Sequence, residues 1–409
     1  MEYDDPLFRQ SLIVQGHRDM VDPARSLYGT PERLRARIER TRILFARGTL
    51  PLPGWLMRQG EGHGRAVSKG TWDRRRLAVV LPVHVRGDTR FVEDPARNTY
   101  FDTALNAGMD AHFVNADGVV RLDDSGENQP VSREIVEEFV REIKAIRPQL
   151  LFFSCNEAGC QDGFGPELIN RIRADVGCHT IGLNGDAWGP HMVDTVRSWT
   201  PVCDLVYHIA PNSLFATGDR LGGKAWLGPV LVDGRAFFPG ESRTVDLFFC
   251  GNGGIHRRPG WLKWAQQVAD RHGMRADLRQ HDRSRQHAPF PTNAAYAEAL
   301  RRARMVLNLS SRGRGLKAMT GRSWQAIASG AVLLEENNAA LPYYFAPFLH
   351  YIPFETMQDL DAGMKLFGTD PTLAEEIGAG AAAFHAEHYG EARCWAAILA
   401  ALDARIGVH

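Results

Sequence analysis

The stretch VDLFFCGNGGIHRR, residues 245–258, decides the fold. Its first six residues make a near-continuous apolar run of strand length, the glycines break that run, and a helical pattern starts soon after. A strand whose apolar residues run on rather than alternate is covered on both faces, as inside a parallel sheet. Toward the C-terminus, helices predicted at 261–272, 293–304 and 323–328 alternate with strands at 274–278, 305–309 and 331–334. Toward the N-terminus the same rhythm has already run once. Strand 77–83 (LAVVLPV) is followed by a polar loop, 84–97, a helix, 98–108, stopped by Gly108, and strand 111–114. Helix 132–146, strand 149–154 (QLLFFS), helix 166–175 and strands 178–183 and 204–209 come next. Residues 245–250 are therefore a second first strand. The sequence predicts an α/β protein of two doubly wound parallel-sheet domains, 71–240 and 241–390, with the boundary near 240.

The bulk properties agree. A chain of 409 residues exceeds the size at which one core keeps growing. Its 44% hydrophobic and 23% charged residues suffice for a core in each half. Lys plus Arg and Asp plus Glu each number 48, so no overall field favours nucleic acid or an anionic membrane, and any anion site is local. Arginine dominates the basic side, and its planar fork suits phosphate. The first 20 residues hold neither a basic leader nor a continuous apolar stretch, and no run of about 18 apolar residues occurs. The expectation is a cytoplasmic protein without a transmembrane segment or a nucleic-acid partner; a homo-oligomer is compatible with this composition. Residues 1–70 read as an extension, with a helix over 30–46 opened by Thr30-Pro31-Glu32 and a linker over 60–70. Residues 391–409 read as a closing helix. Cys155, Cys160, Cys178, Cys203, Cys250 and Cys394 lack the paired spacing of a zinc site and read as buried thiols. His281 and His287 have no carboxylate company, so no metal site is expected.

Ligands of open parallel sheets gather at the carboxyl ends of the strands. Three loops there carry chemistry. The first, 251–258, offers Asn252 and Gly253, where the backbone can approach a ligand, and Arg257 and Arg258 at a helix start suited to phosphate. It lacks the third glycine of a dinucleotide fingerprint, which weakens a nicotinamide-dependent dehydrogenase. The second, 310–317, gathers Ser311, Arg312, Arg314 and Lys317 with glycines, and Arg322 lies just beyond. The third, 324–338, is a small-residue helix stopped at Gly330 and feeding a buried strand. That strand ends in Glu335, Glu336, Asn337 and Asn338, a polar tip able to accept hydrogen bonds from sugar hydroxyls.

Arg322, Trp324, Gln325-Ala326, Ala328-Ser329-Gly330, Glu335, Asp370-Pro371-Thr372-Leu373 and His385-Ala386-Glu387-His388 follow in the order seen in a known family. The stretch from Thr320 to about His388 resembles the donor-binding domain of the group-1-like glycosyltransferases, the branch with spore-maturation-type proteins. The resemblance implies the GT-B fold, two Rossmann-like domains facing across a cleft, with the acceptor on the first and a nucleotide diphosphate sugar on the second. By position, Arg257 or Arg258 would face the diphosphate, with Arg322 and Lys317 as further candidates, and Glu335 to Asn337 would approach the ribose or sugar. One position departs from the pattern: the family's glutamate before alanine is Gln325.

On the acceptor side, His84-Val85-Arg86-Gly87-Asp88, Asn156-Glu157 and Asn184-Gly185-Asp186-Ala187-Trp188 lie at predicted strand ends. Asp186 and Glu157 are candidate general bases toward an acceptor hydroxyl, His84 is the alternative, and Trp188 can stack on a sugar ring. Asn-Gly-Asp also makes a good turn without any catalytic role. The expected activity is transfer of a hexose-like sugar from a nucleotide diphosphate sugar to a hydroxyl of a glycan, lipid, protein or small molecule. It would use no metal and no cofactor beyond the substrate. The alternatives are a nucleotide-sugar epimerase or phosphorylase, and a non-catalytic nucleotide-sugar or partner-binding protein on the same scaffold, which Gln325 favours.

Overall fold

The computed structural model describes residues 18–58, 75–84, 96–120, 130–155, 162–185, 190–209, 223–253, 257–281, 289–313 and 316–407. These fall into two compact units. One lies within 1–58, 235–283 and 294–388, and the other within 59–234, 284–293 and 389–409.

The unit whose sheet comes first in the chain, that within 59–234, 284–293 and 389–409, is built on a six-stranded sheet in which every pairing is parallel. Its strands are β1 (Leu77–Leu81), β2 (Ala111–Asn115), β3 (Leu150–Ser154), β4 (His179–Asn184), β5 (Leu205–His208) and β6 (Ala225–Leu227), in the order β2-β1-β3-β4-β5-β6. Every residue of β1 is buried, as its unbroken apolar run requires. Successive side chains point to opposite faces. Ala78, Val80, Leu151 and Phe153 join a core with Phe139, Ile143, Ile169 and Trp199 from the helices of one face. On the other face Phe152 packs against Tyr100 at 5.1 Å and Trp395 at 5.6 Å. The predicted helix over 98–108 is a wide turn, Arg97–Asp102, running into a short α-helix, Thr103–Asn106.

Trp395 belongs to the closing helix, Glu391–Ile406. Its indole N–H donates to the Thr103 hydroxyl (3.1 Å), and Asp403 accepts from both terminal nitrogens of Arg75 (2.7 and 3.1 Å). This helix is thus a layer of the unit built on the six-stranded sheet.

The second unit holds β7 (Val245–Asn252), β8 (Ala276–His281), β9 (Ala303–Asn308), β12 (Val332–Glu336) and β13 (Ile352–Phe354), parallel in the order β13-β12-β9-β7-β8. A two-stranded antiparallel ribbon, β10 (Ser311–Gly313) and β11 (Leu316–Lys317), stands beside it. Counted from its own first strand, this sheet has the order 2-1-3-4-5, as do the first five strands of the other unit. The direction of winding reverses between its first and third strands, β7 and β9, which is where open sheets of this type bind ligands.

Residues 18–58, read from sequence as part of a separate extension, are integral to this second unit. The helix Pro31–Ala46 forms as expected, with the Thr30 hydroxyl accepting from the Arg33 N–H at 3.3 Å. Met20, Val21, Tyr28, Leu34 and Ile38 enter the core formed by Leu247, Leu307, Leu334 and Phe354. The linker expected over 60–70 lies outside the described residues.

What ties this segment down is Asp359, in the first turn of the helix Met357–Thr369, 0% exposed. Its carboxylate accepts from the Ser26 hydroxyl (2.6 Å) and from the backbone N–H groups of Leu27, Tyr28 and Gly29 (3.0 Å each). It also closes a capping box with Thr356. Burial pushes this carboxyl up, but the Ser26 and backbone hydrogen bonds outweigh it and hold it below the usual carboxylate range. The loop can converge on one carboxylate because Gly29 takes a φ of +70°, a conformation glycine adopts without strain.

Replacing Asp359 by Ala strands four donors of residues 26–29 and is expected to cost about 3 kcal/mol, read as a lower urea midpoint. Because the folded-state pKa is depressed, Asp359 contributes stability that is present above about pH 4, its unfolded value, and lost as pH falls through the folded value. The gap between wild type and Asp359→Ala is therefore expected to narrow in acid, and a gap independent of pH would refute this assignment.

Candidate functional site

At the carboxyl ends of β9 and β12, Glu335 lies directly opposite Asn308 in the parallel register. Both are 0% exposed. The Asn308 carboxamide nitrogen lies 3.0 and 2.8 Å from the two Glu335 oxygens and 2.9 Å from the Ser323 hydroxyl. Glu335 also accepts from Ser323 (2.9 Å) and from the Asn338 carboxamide (2.8 Å). The other end of Asn308, its carbonyl oxygen, accepts from Arg322 Nη1 at 2.8 Å and from the Thr320 hydroxyl at 3.3 Å. One buried amide thus joins the guanidinium of Arg322 to the carboxyl of Glu335.

Arg322 stands in the first turn of the helix Gly321–Ala328 and is partly exposed. Its guanidinium lies 5.1 Å from the Phe249 ring centre, a cation–π contact. A side chain at position 251 would collide with it, so Gly251 makes room for Arg322. Gly253 likewise makes room for the Gln280 carboxamide. Both glycines serve close approach by protein side chains, where the sequence reading expected close approach by a ligand.

Burial pushes the Glu335 carboxyl up to about 8, against the pull of the Asn308 and Ser323 hydrogen bonds, and the neighbouring Glu336 adds to the rise while Arg322 opposes it. At neutral pH Glu335 is therefore mostly uncharged, and among the described residues no carboxylate forms an ion pair with Arg322. The result is a cation at the start of a helix, beside the winding reversal of the sheet, which is a setting for an anion.

The other predicted donor residues are placed differently. The strand runs through Glu335 and Glu336, so the expected polar tip is buried strand. Glu336, 1% exposed, accepts from the Ser311 N–H (2.8 Å) and hydroxyl, which fixes the ribbon β10–β11 to the sheet. Lys317 reaches the Asn337 carbonyl and lies 3.5 Å from Glu355, and the Asn337 carboxamide donates to Glu355 at 3.1 Å. Arg258 is 3% exposed and donates to the carbonyls of Asn252 (2.8 Å) and Leu309 (2.9 Å). It holds together the ends of β7 and β9 instead of facing a ligand. Arg257 pairs with Asp19 of the N-terminal segment. Gln325 accepts from the Tyr296 hydroxyl at 3.2 Å.

Of the acceptor-side candidates, His84 is described, at the end of β1, with Nδ1 2.7 Å from Asp117. Asp186, Glu157, Asn156, Trp188, residues 85–88, 254–256, Arg314 and His287 lie outside the described residues. The sequence reading missed Asn308, Ser323 and Asp117. A signal existed for the first: a lone asparagine closing the apolar strand ARMVLN. Among the described residues no group of three or more His, Cys, Asp or Glu side chains is arranged to hold a metal ion, and no helix is long and apolar enough to cross a membrane.

A carboxyl raised in the folded state contributes stability that is complete below its unfolded value, about 4.3, and lost as pH rises through the folded one. Wild type is thus expected to lose a few kcal/mol between about pH 4 and pH 8 relative to Glu335→Gln, measured by urea unfolding across that range. Parallel pH profiles for the two proteins would exclude a protonated Glu335.

Residues 255–400 match a family model described as glycosyl transferase-like. No curated protein matches the sequence. Among solved structures, sucrose-phosphate synthase from Thermosynechococcus elongatus is 12% identical, with a TM-score of 0.51 over 81% of this chain and 99% of that one. An α-glucosyltransferase solved with UDP and a 13-mer DNA containing an HMU base is 9% identical, with a TM-score of 0.53 over 80% of this chain and 99% of that one. At these identities the likeness is one of fold. The chain has the GT-B fold, with two Rossmann-like parallel-sheet units, and part of it matches a glycosyl transferase-like family.

Proposed function

We propose that the protein is a glycosyltransferase that moves a hexose-like sugar from a nucleotide diphosphate sugar to a hydroxyl of a glycan, lipid, protein or small molecule in the cytoplasm. The observation that carries this reading is Arg322, held by Asn308 and Phe249 at the winding reversal of the second sheet, within the span that matches the glycosyl transferase-like family. As the bond from the anomeric carbon to the diphosphate breaks, negative charge grows on the leaving oxygen. A preorganised guanidinium at a helix start is the kind of group that lowers that barrier. In this reading Arg322 faces the diphosphate, Lys317 of the ribbon is a further candidate for it, and no metal ion or further cofactor is required.

The neutral Gln325 favours a second reading, a protein of the same fold that binds a nucleotide sugar without turning it over. The two separate on a panel of nucleotide sugars offered with varied hydroxyl acceptors, followed by nucleotide release and thermal shift. Release of nucleotide with transfer is expected; binding that never leads to release selects the second reading.

Arg322→Ala is expected to lower kcat/KM by roughly 10²–10³-fold, the usual cost of one preorganised donor, and to weaken the thermal shift with UDP. Wild-type values in both would remove Arg322 from the site. Turnover is expected to survive exhaustive treatment with EDTA, and activity restored only by added divalent cation would overturn the metal-free reading.

A further inference from the structure

Of the six large apolar side chains that stand exposed among the described residues, four lie within 43–57: Ile43, Phe45, Leu52 and Met57, each open over roughly half its surface. The local fold holds them there. Past the helix Pro31–Ala46 the chain turns at Gly48, with a φ of +66°, and the Thr49 and Leu50 N–H groups donate back to the Leu44 carbonyl (2.9 and 3.2 Å). Leu52 follows between Pro51 and Pro53, and the second proline confines it to extended backbone. Trp55, buried against Tyr344 at 6.0 Å, seats the short helix Gly54–Arg58 and leaves Met57 outside.

Positive charge shares this surface. Arg33, Arg40 and Arg47 recur every seven residues, so they line one stripe of the helix, turned away from the buried Leu34 and Ile38. Ile43, three residues after Arg40 and four before Arg47, sits in the same stripe. All three arginines are exposed, and no carboxylate pairs with them among the described residues. The helix's own acids are engaged elsewhere: Glu39 lies 3.7 Å from Arg42, and Glu32 is hydrogen-bonded to its own backbone N–H and to Thr30. Arg35 and Arg42 are likewise satisfied, by Asp370 (2.6 Å) and Glu376 (3.0 Å). In a chain with as many acidic as basic residues, this stripe is a local excess.

We propose that residues 33–57 are a docking surface for an anionic lipid membrane, with Ile43, Phe45, Leu52 and Met57 entering the head-group region and Arg33, Arg40 and Arg47 meeting lipid phosphates. The protein lies on such a membrane rather than across it. A second copy related by a two-fold axis would set the arginine stripe against itself. A lipid surface offers negative charge with an apolar interior just beneath it. Being fluid, it takes side chains that project from a helix end, a turn and a second helix without lining a groove. This proposal does not depend on the glycosyl-transfer reading.

The test is sedimentation of the full chain with vesicles of phosphatidylcholine alone and of phosphatidylcholine with about one third phosphatidylglycerol. Wild type is expected to pellet with the mixed vesicles only, and to be largely released at about 1 M NaCl. Exchanging Arg33, Arg40 and Arg47 together for Gln is expected to weaken binding roughly 10²-fold, and Leu52→Ser about tenfold. These side chains are exposed, so thermal midpoints should stay near wild type. In Leu52→Trp, brominated lipid is expected to quench emission beyond the wild-type level. Equal binding to both vesicles, wild-type binding by the triple variant or by Leu52→Ser, or no added quenching overturns the proposal. Protein left in the supernatant with both vesicles also overturns it and leaves a protein as the occupant. A dimer in velocity sedimentation that Leu52→Ser dissociates assigns the surface to a second copy and overturns it too.

Discussion

The polar end of the second sheet depends on one buried amide. Asn308 can serve two different neighbours because a carboxamide accepts on one side and donates on the other. Arg322 and Glu335 meet it from those two sides. An aspartate there could not donate to Glu335, and a leucine would remove both a donor to the two Glu335 oxygens and the acceptor that holds Arg322. The parallel register supplies the precision. With Asn308 and Glu335 in register, no loop has to hold either residue in place.

The same logic appears at Asp359, where a carboxylate that no cation pairs with among the described residues is stabilised by converging N–H groups and a hydroxyl. The two buried acids shift in opposite directions for a reason visible in their surroundings. Asp359 is met by four donors from residues 26–29, which favour the charged form. Glu335 is met by two carboxamides and a hydroxyl but sits next to Glu336 and is more completely desolvated. The number and kind of donors, set against burial, decides the sign.

Much of the architecture was legible because parallel strands announce themselves. Runs such as LAVVL and QLLFF are short, apolar on both faces and separated by helical periods, and the second start at Val245 marked the second sheet. The site was harder. Glu335 and Glu336 read as a strand tip because charge ordinarily means solvent. Their burial depends on Asn308 and Ser311, about 25 residues earlier in the chain. Arg257 and Arg258 looked like phosphate ligands because they open a helix. Their partners are Asp19, 238 positions away, and backbone carbonyls that no sequence pattern displays. The N-terminal segment was read as a separate arm for the same reason, since Asp359 is some 330 residues distant from Gly29. Long-range partners of polar groups are what a local reading cannot see.

The placement of residues 18–58 and of the helix Glu391–Ile406 has a consequence for biosynthesis. Domains ordinarily fold as they emerge, the N-terminal one first. Here residues 18–58 contribute to a core whose sheet does not begin until Val245, and the first sheet receives its layer at Trp395 only when the last helix is made. The core that takes in residues 18–58 is incomplete until the sheet from Val245 onward is made, and the six-stranded sheet lacks a layer until the helix Glu391–Ile406 has emerged. The nascent chain carries the apolar face of the Pro31–Ala46 helix, with Leu34 and Ile38, for some two hundred residues before its sheet exists. It likewise carries Phe152 without the indole that covers it. Those surfaces stay uncovered over that interval, and removing residues 18–58 or the helix Glu391–Ile406 removes part of a core.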